Sequence, residues 1–411
     1  MVSAFVNGRN YCTLLRKEDE RKLEQQAVQT REDSYELFIR SIIPKLKIGG
    51  RADHIQIRQT IIKLHSQSSL SMGAGEQQEQ PIDVLDLSNP NKAELAKTVR
   101  KACIEVGFFY LINHGLDQKL MDEVLAQTKR FFDLPTEEKT KLIFDKNHRG
   151  YTPMAEEILD PENSTEGDSK EGYYIGWDVP VDDPMASKPL HGPNQWPSEE
   201  VLPGWRTVME KYYFEVLKLG HRIASLIALS LELRPDYFEK MFTVPMVAMR
   251  PLHYAAVHSS PQEGKFGSGA HSDYGLLTFL LTDDNSGLQI CKEKDAKPQE
   301  WLDVAPRKGA FIVNLGDMLE RWTNGLYRST LHRVVTKGVD RYSVPYFYEP
   351  NFDTMVECLP TCCSSTNPAR YPPLTSGEHL LGKYHQTHTG FDVTAKPHGF
   401  ENLPTRTENG V

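Results

Sequence analysis

Long apolar runs are missing from this chain of 411 residues. A bilayer-spanning helix needs roughly 18 to 20 consecutive apolar residues, and no segment comes near that, so membrane insertion is not expected. The first residues lack the apolar stretch and small-residue cleavage site of a secretory signal. Residues 16–36 hold Glu18, Asp19, Glu20, Glu24, Glu32, Asp33 and Glu36, which a transit peptide would avoid. The expected location is therefore cytoplasmic. Dense basic runs are missing too: 47 Lys+Arg stand against 56 Asp+Glu, a net charge of −9. Without a Lys/Arg stripe to meet a phosphate backbone, nucleic acid is not an expected partner. Cysteine is scarce, with six in all. Only Cys358, Cys362 and Cys363 cluster, in a Cys-x3-Cys-Cys spacing that matches no common zinc site. They read as reduced thiols in a loop, the alternative being a zinc site completed by His379, His385 or His388. No internal repeat of about 20 to 50 residues is visible, which excludes propellers and solenoids.

What is present suits one large or two ordinary globular domains. Residues 1–80 form a polar extension, partly disordered, that ends in the low-complexity run Ser66 to Gln80. That run is too polar to order itself and reads as a linker. Ahead of it, Tyr35, Phe38, Ile39, Ile42 and Ile43 share one helical stripe, which suits a docked helix or a partner site.

The compact part begins at Pro81, where alternating apolar residues predict a short strand. A helix follows over Lys92–Val106 with Leu95, Val99, Ala102, Cys103 and Val106 on one face, then a strand over Phe108–Ile112. Val208, Tyr212, Val216, Leu219, Ile223 and Ile227 recur at helical spacing and predict a long helix supporting a sheet from outside. After about residue 245 the pattern changes to short β-rich runs, among them Thr278–Leu281, Ala310–Leu315 and Tyr342–Tyr348, the mark of an antiparallel sandwich or barrel.

Three features of this β-rich half bear on chemistry: His271-Ser-Asp273, His332, and Arg341-Tyr-Ser343. On an extended strand, residues i and i+2 share a face, so His271 and Asp273 can approach one metal from one side. His332 on a neighbouring strand supplies a third ligand. Two imidazoles and a carboxylate that leave a face open suit non-haem Fe(II), and a zinc hydrolase can use a similar set. Arg341 and Ser343 favour the first reading. They also share a strand face, and a guanidinium fork beside a hydroxyl matches the far carboxylate of a diacid, so the inferred ligand is 2-oxoglutarate.

These residues sit among longer matching stretches: Gly107-Phe-Phe-Tyr-Leu-Ile-Asn-His-Gly115, Phe131 to Lys139, Arg149-Gly-Tyr-Thr-Pro153, Gly192 to Pro197, and Asn314 to Gly325 running into Ser329-Thr-Leu-His-Arg333. With them the chain, over residues 81 to about 390, resembles the plant-type, isopenicillin-N-synthase-like family of Fe(II)/2-oxoglutarate-dependent dioxygenases. The resemblance implies a mainly β fold with flanking helices, built on a double-stranded β-helix (jelly-roll) core. The expected division is a helical N-terminal region over 81–244, the core over 245–395, and a tail over 396–411. It further implies Fe(II) on His271, Asp273 and His332, with Arg341 and Ser343 on the co-substrate. The activity implied is O2-dependent oxidation of a small organic metabolite, by hydroxylation, desaturation or ring closure, with release of succinate and CO2. Ascorbate is the auxiliary reductant such enzymes use, and a monomer is the expected state. Two alternatives stay open: an iron oxidase of this fold that does not consume 2-oxoglutarate, and a non-catalytic binding protein.

Many plant members carry Asn-x-Tyr at the other end of the co-substrate. Here Leu252-His-Tyr254 keeps only the tyrosine, so Tyr254 is the candidate there, and Ser272 replaces the usual Thr within the metal triplet. His253 points to the opposite strand face and is read as packing or surface. His114, in an Asn-His-Gly turn, is read as structural, as is the turn Trp322-Thr-Asn-Gly325. Phe347 follows Ser343 at strand spacing and is read as core rather than substrate contact. Tyr151 either closes over the site or marks a turn.

Overall fold

The computed structural model describes residues 82–387, so the extension 1–80 with its linker and apolar stripe, Cys12, His388 and the tail 396–411 lie outside the described residues. In chain order the elements are β1 (Asp83–Asp86), α1 (Lys92–Glu105), β2 (Phe108–Ile112), α2 (Gln118–Phe132), α3 (Thr136–Thr140), β3 (Gly150–Thr152), β4 (Lys170–Gly176) and α4 (Trp205–Ser230). Then follow β5 (Ala248–Met249), β6 (Leu252–Tyr254), β7 (Ser268–His271), β8 (Leu277–Thr282), β9 (Leu288–Cys291), β10 (Trp301–Asp303), β11 (Phe311–Leu315) and α5 (Asp317–Trp322). The last are β12 (His332–Val334), β13 (Arg341–Tyr348), β14 (Met355–Val356), β15 (Leu374–Thr375) and α6 (Ser376–Thr387).

The fold is mainly β with several helices. A nine-stranded sheet runs β1-β2-β11-β8-β13-β5-β4-β3, with β6 pairing both β13 and β4, and a four-stranded sheet runs β10-β9-β12-β7. Pairing is antiparallel except for β1 with β2, which α1 joins as a crossover. The predicted helix and strands over 81–112 thus appear within a residue or two of their expected ends. Asn91 caps α1 by accepting from the backbone N–H of Ala93 and Glu94, at 3.1 and 3.3 Å, which satisfies two donors that the first turn leaves open. The region before residue 245 is not only helical, since it also contributes β1 to β4 to the large sheet. Among the described residues no helix is long and apolar enough to cross a membrane.

Side-chain alternation across four adjacent strands of the large sheet decides where the site lies. Phe109 and Leu111 of β2, Phe311, Val313 and Leu315 of β11, Leu277, Phe279 and Leu281 of β8, and Tyr342, Val344, Tyr346 and Tyr348 of β13 all join one core. That core is shared with Tyr212, Val216, Leu219, Ile223 and Ile227 of α4, which supports the sheet from outside as the sequence spacing predicts. The helix comes close: a Cβ on Gly220 would lie 2.4 Å from the Tyr348 ring, so no larger residue fits without moving the sheet. Intervening residues of the same strands face the small sheet. Phe108, Tyr110 and Ile312 pack there with Leu288 and Ile290 of β9 at one end, and the rest of that face lines a cavity.

Candidate metal and co-substrate site

A cavity of about 70 Å³ lies between the sheets. His271 and His332 stand directly opposite each other in the β7–β12 pairing, with ring centroids 4.3 Å apart. Asp273, just beyond β7, places Oδ1 3.7 Å from His271 Nε2 and 3.6 Å from His332 Nε2. The three ligand atoms all lie within 4.8 Å of one another, and among the described residues this is the one cluster of three or more His, Cys, Asp or Glu groups that could hold a metal.

The surroundings fix each ligand's orientation. His271 Nδ1 lies 2.8 Å from the Gly269 carbonyl and His332 Nδ1 3.1 Å from that of Thr330. A carbonyl only accepts, so both Nδ1 atoms donate and both Nε2 atoms present a lone pair to the centre. Asp273 Oδ2 accepts from Asn314 Nδ2 at 2.6 Å and from Thr278 Oγ1 at 2.5 Å, which leaves Oδ1 toward the histidines. Burial, then the neighbouring His332, push the His271 imidazole down to about 3. Burial opposes the charge on Asp273, yet His332, His271 and Asn314 together hold its carboxyl well below the usual carboxylate range. Burial likewise opposes a charge on His332, but the Asp273 carboxylate outweighs it and raises that imidazole. A cation at the centre would satisfy the same carboxylate, and the donor set of two imidazole nitrogens and one carboxylate oxygen fits Fe(II).

At the far end of the cavity, Arg341, Ser343, Pro345 and Phe347 project from the inward face of β13. Arg341 is 3% exposed, and its Nε and Nη2 donate only to the Asn285 carbonyl at 3.3 Å and Thr282 Oγ1 at 3.5 Å. Its Nη1 has no partner, nor does the buried Ser343 Oγ beside it. Among the described residues no carboxylate pairs with this guanidinium, so the protein buries a positive charge and a hydroxyl that both await an anion. Tyr254 pairs across the ladder with Arg341, which lies over its ring at 5.0 Å. The guanidinium and hydroxyl have the chemistry to receive a carboxylate such as those of 2-oxoglutarate.

The remaining sequence candidates fall elsewhere. His253 points away, bridging Glu171 and Asp340 at 2.8 Å each and stacking on Tyr342. His114 lies 3.2 Å from the Gly309 carbonyl and is structural. Tyr151 donates to Glu171 Oε2 at 2.6 Å within the core. The turn reading of Trp322–Gly325 holds, with Asn324 and Gly325 both at positive φ. Phe347 departs from the core reading, because it is half-buried and lines the cavity. Cys358, Cys362 and Cys363 are free and join no metal cluster among the described residues, while His379 lies 2.8 Å from the Tyr274 carbonyl.

Several residues that shape the site have no signal in local spacing. Thr278 and Asn314 hold Asp273, while Asp317 accepts from Ser272, Ser329 and Lys383 and thereby ties the metal turn to α6. Behind β7, Lys170 pairs with Asp168 and Glu157, Arg250 pairs with Glu157 at 2.7 Å, and Asp168 accepts from the Gly269 N–H. This buried set of two cations and two anions is balanced, which is what makes its burial tolerable.

Known proteins share this arrangement of sequence and fold. Residues 82–199 match a family model described as non-haem dioxygenase in morphine synthesis N-terminal, and residues 247–350 match the 2OG-Fe(II) oxygenase superfamily. Azadirone synthase of Melia azedarach is 45% identical over 308 residues, which cover 74% of this chain and 92% of that protein. A 2-oxoglutarate-Fe(II) type oxidoreductase of Emericella nidulans is 37% identical over 308 residues, covering 72% and 86%. A full-length Neurospora crassa protein, crystallised in complex with alpha-KG and thymine, matches with a TM-score of 0.65 at 28% identity, over 76% of this chain and 98% of that one. Matches of this identity and extent, to proteins of one chemistry, make the chain a member of the 2-oxoglutarate- and Fe(II)-dependent oxygenases, an oxidoreductase with iron as cofactor and 2-oxoglutarate as co-substrate.

Proposed function

We propose that His271, Asp273 and His332 hold the iron of this dioxygenase, and that Arg341 and Ser343, with Tyr254 beside them, clasp 2-oxoglutarate. Strands β5 to β13 of the two facing sheets make the double-stranded β-helix core, and the residues before 245 add helices and strands β1 to β4 to it. When bound, the iron and 2-oxoglutarate supply O2 activation coupled to oxidative decarboxylation of the co-substrate to succinate and CO2. The chain's own residues do the positioning. Asn314 and Thr278 keep one Asp273 oxygen occupied and aim the other at the metal, and the Gly269 and Thr330 carbonyls fix the imidazole tautomers. Arg341 and Ser343 would neutralise and hydrogen-bond the far carboxylate, setting the near end of the co-substrate toward the triad. Between them the sheets exclude water.

The observation that carries this reading is the buried, unpartnered Arg341 Nη1 and Ser343 Oγ at one end of a cavity whose other end is the ligand triad. Both groups call for a carboxylate, which 2-oxoglutarate supplies; an iron oxidase of this fold would have to meet them with its substrate, and succinate release separates the two. The substrate is a small organic molecule, of the kind that thymine represents in the Neurospora crassa complex. The test is stoichiometry: Fe(II)-loaded protein, screened with amino acids, phenolics and terpenoid acids, should release one succinate per substrate oxidised. Substrate oxidation without succinate would refute the role given to Arg341.

A further inference from the structure

On the opposite side of the triad from Arg341 lies a second chamber of about 60 Å³, which shares the His271, Asp273 and Phe347 wall with the first. It is lined by Tyr174, Tyr274 and Tyr384 as well, and past Glu349 it runs into a further cavity of about 30 Å³ that Tyr174 and Tyr384 also border. Ring-bearing walls of this kind suit a flat or cyclic apolar body.

Among the ionisable groups of this lining, Glu349 has an oxygen that is not matched. Glu349 directly follows β13 and is 6% exposed, and its Oε2 is buried with no hydrogen-bond partner. Its neighbours do not neutralise it: Arg250 is committed to Glu157 through both terminal nitrogens, at 2.7 and 2.9 Å. Among the described residues no Lys, Arg or His forms an ion pair with Glu349, and the only acid facing it across the chamber besides Glu157 is Asp273. Room for this carboxyl is made by Gly275, where a Cβ would lie 2.3 Å from Glu349 Oε1. A buried polar oxygen left unpaired costs stability, and proteins keep such groups where a ligand will pair them. In either protonation state a carboxyl keeps an accepting lone pair, so a hydrogen-bond donor can pair it.

We propose that Glu349 is the substrate-recognition residue of this enzyme, and that it selects a ring-bearing small molecule through a hydroxyl or N–H donated to its carboxyl oxygen. The proposal rests on the assignment of His271, Asp273 and His332 as the metal centre.

Phenol and methoxybenzene are matched probes, alike in ring and size but only one a donor. Protein loaded with Mn(II) and 2-oxoglutarate should broaden the NMR lines of bound phenol through the nearby paramagnetic ion. Phenol should bind about tenfold tighter than methoxybenzene, the size of one hydrogen bond to a buried carboxyl. Glu349→Leu should bring the two probes within about twofold, and Glu349→Gln, which keeps an accepting oxygen, should retain the preference. Calorimetric binding of Mn(II) and 2-oxoglutarate should be unchanged in both variants. Equal binding of the two probes to the unaltered protein, or no broadening of either, would overturn the proposal without recourse to any variant. So would a preference that survives Glu349→Leu. Failure of the unaltered protein to bind Mn(II) and 2-oxoglutarate would overturn the metal-centre assignment and this proposal with it.

Discussion

The chambers on either side of the triad differ in how they are made. The Arg341 side takes most of its lining from ladder positions on β6, β8, β11, β12 and β13, where register fixes side chains to within the tolerance of the sheet. The Glu349 side shares His271 and Phe347 and takes Tyr174 from β4, but draws Glu157 and Tyr274 from loops, Tyr384 from α6, and Glu349 from just past the end of a strand. A co-substrate common to the whole family needs one unvarying seat, and strands provide it. A substrate that differs from member to member is better served by segments that can change without disturbing the sheets.

If that division holds, the largest effect should come from the ladder side. Arg341→Met should weaken 2-oxoglutarate binding about a hundredfold, the worth of one or two charge-assisted hydrogen bonds, and leave Mn(II) affinity intact. Titration calorimetry measures both, and a loss confined to the metal would undo the assignment. Asn314→Ala, behind the Asp273 that both chambers share, should lower metal affinity about tenfold or more by freeing the second Asp273 oxygen. Unchanged affinity in that variant would mean Asp273 is held by other means. On the loop side, Tyr384→Leu should change substrate-stimulated succinate release by about tenfold and 2-oxoglutarate affinity by less than about twofold. An equal change in both would show the chambers to be one unit.

The smallest effect belongs to the outer face of β6. Burial opposes charge on His253, but hydrogen bonds to Glu171 and Asp340 outweigh it and raise its imidazole above the ordinary value. A raised folded-state value means that the added stability is fully present below the unfolded value, roughly 6.5, and is lost as pH rises through the folded one. Glu171 is held below its ordinary value, so it stays ionised across that window. Urea midpoints should therefore fall from pH 6 to pH 9 in the natural protein, and His253→Gln should flatten that fall. An unchanged slope would remove His253 from the account.

How far the site could be read in the amino-acid sequence follows from the same division. Strand alternation alone places His271 with Asp273 and Arg341 with Ser343, and the jump from β7 to β12 needed only a second histidine on a β-like run. Phe347 was legible as inward-facing, though composition favoured the core. Glu349 continues the series 341, 343, 345, 347, so the same rule that finds Ser343 would have pointed to it had the strand been followed one step further. Thr278 and Asn314 lay in recognisable runs, yet nothing local says that both end on one oxygen of Asp273. Tyr384 and Glu157 are the least legible, since their place in the wall depends on how α6 and a long loop settle against strands from separate parts of the chain.

The two faces of β13 carry one further consequence. Its odd-numbered residues line the cavity, while the even-numbered ones anchor the sheet to α4, where Tyr346 donates to the Tyr213 carbonyl and Tyr348 meets His221. A single residue inserted or deleted ahead of Arg341 would exchange these faces, sending the guanidinium into the helical layer and a tyrosine toward the iron. This stretch is thus frame-sensitive: a substitution alters one face at one position, whereas a change of length turns both faces over at once.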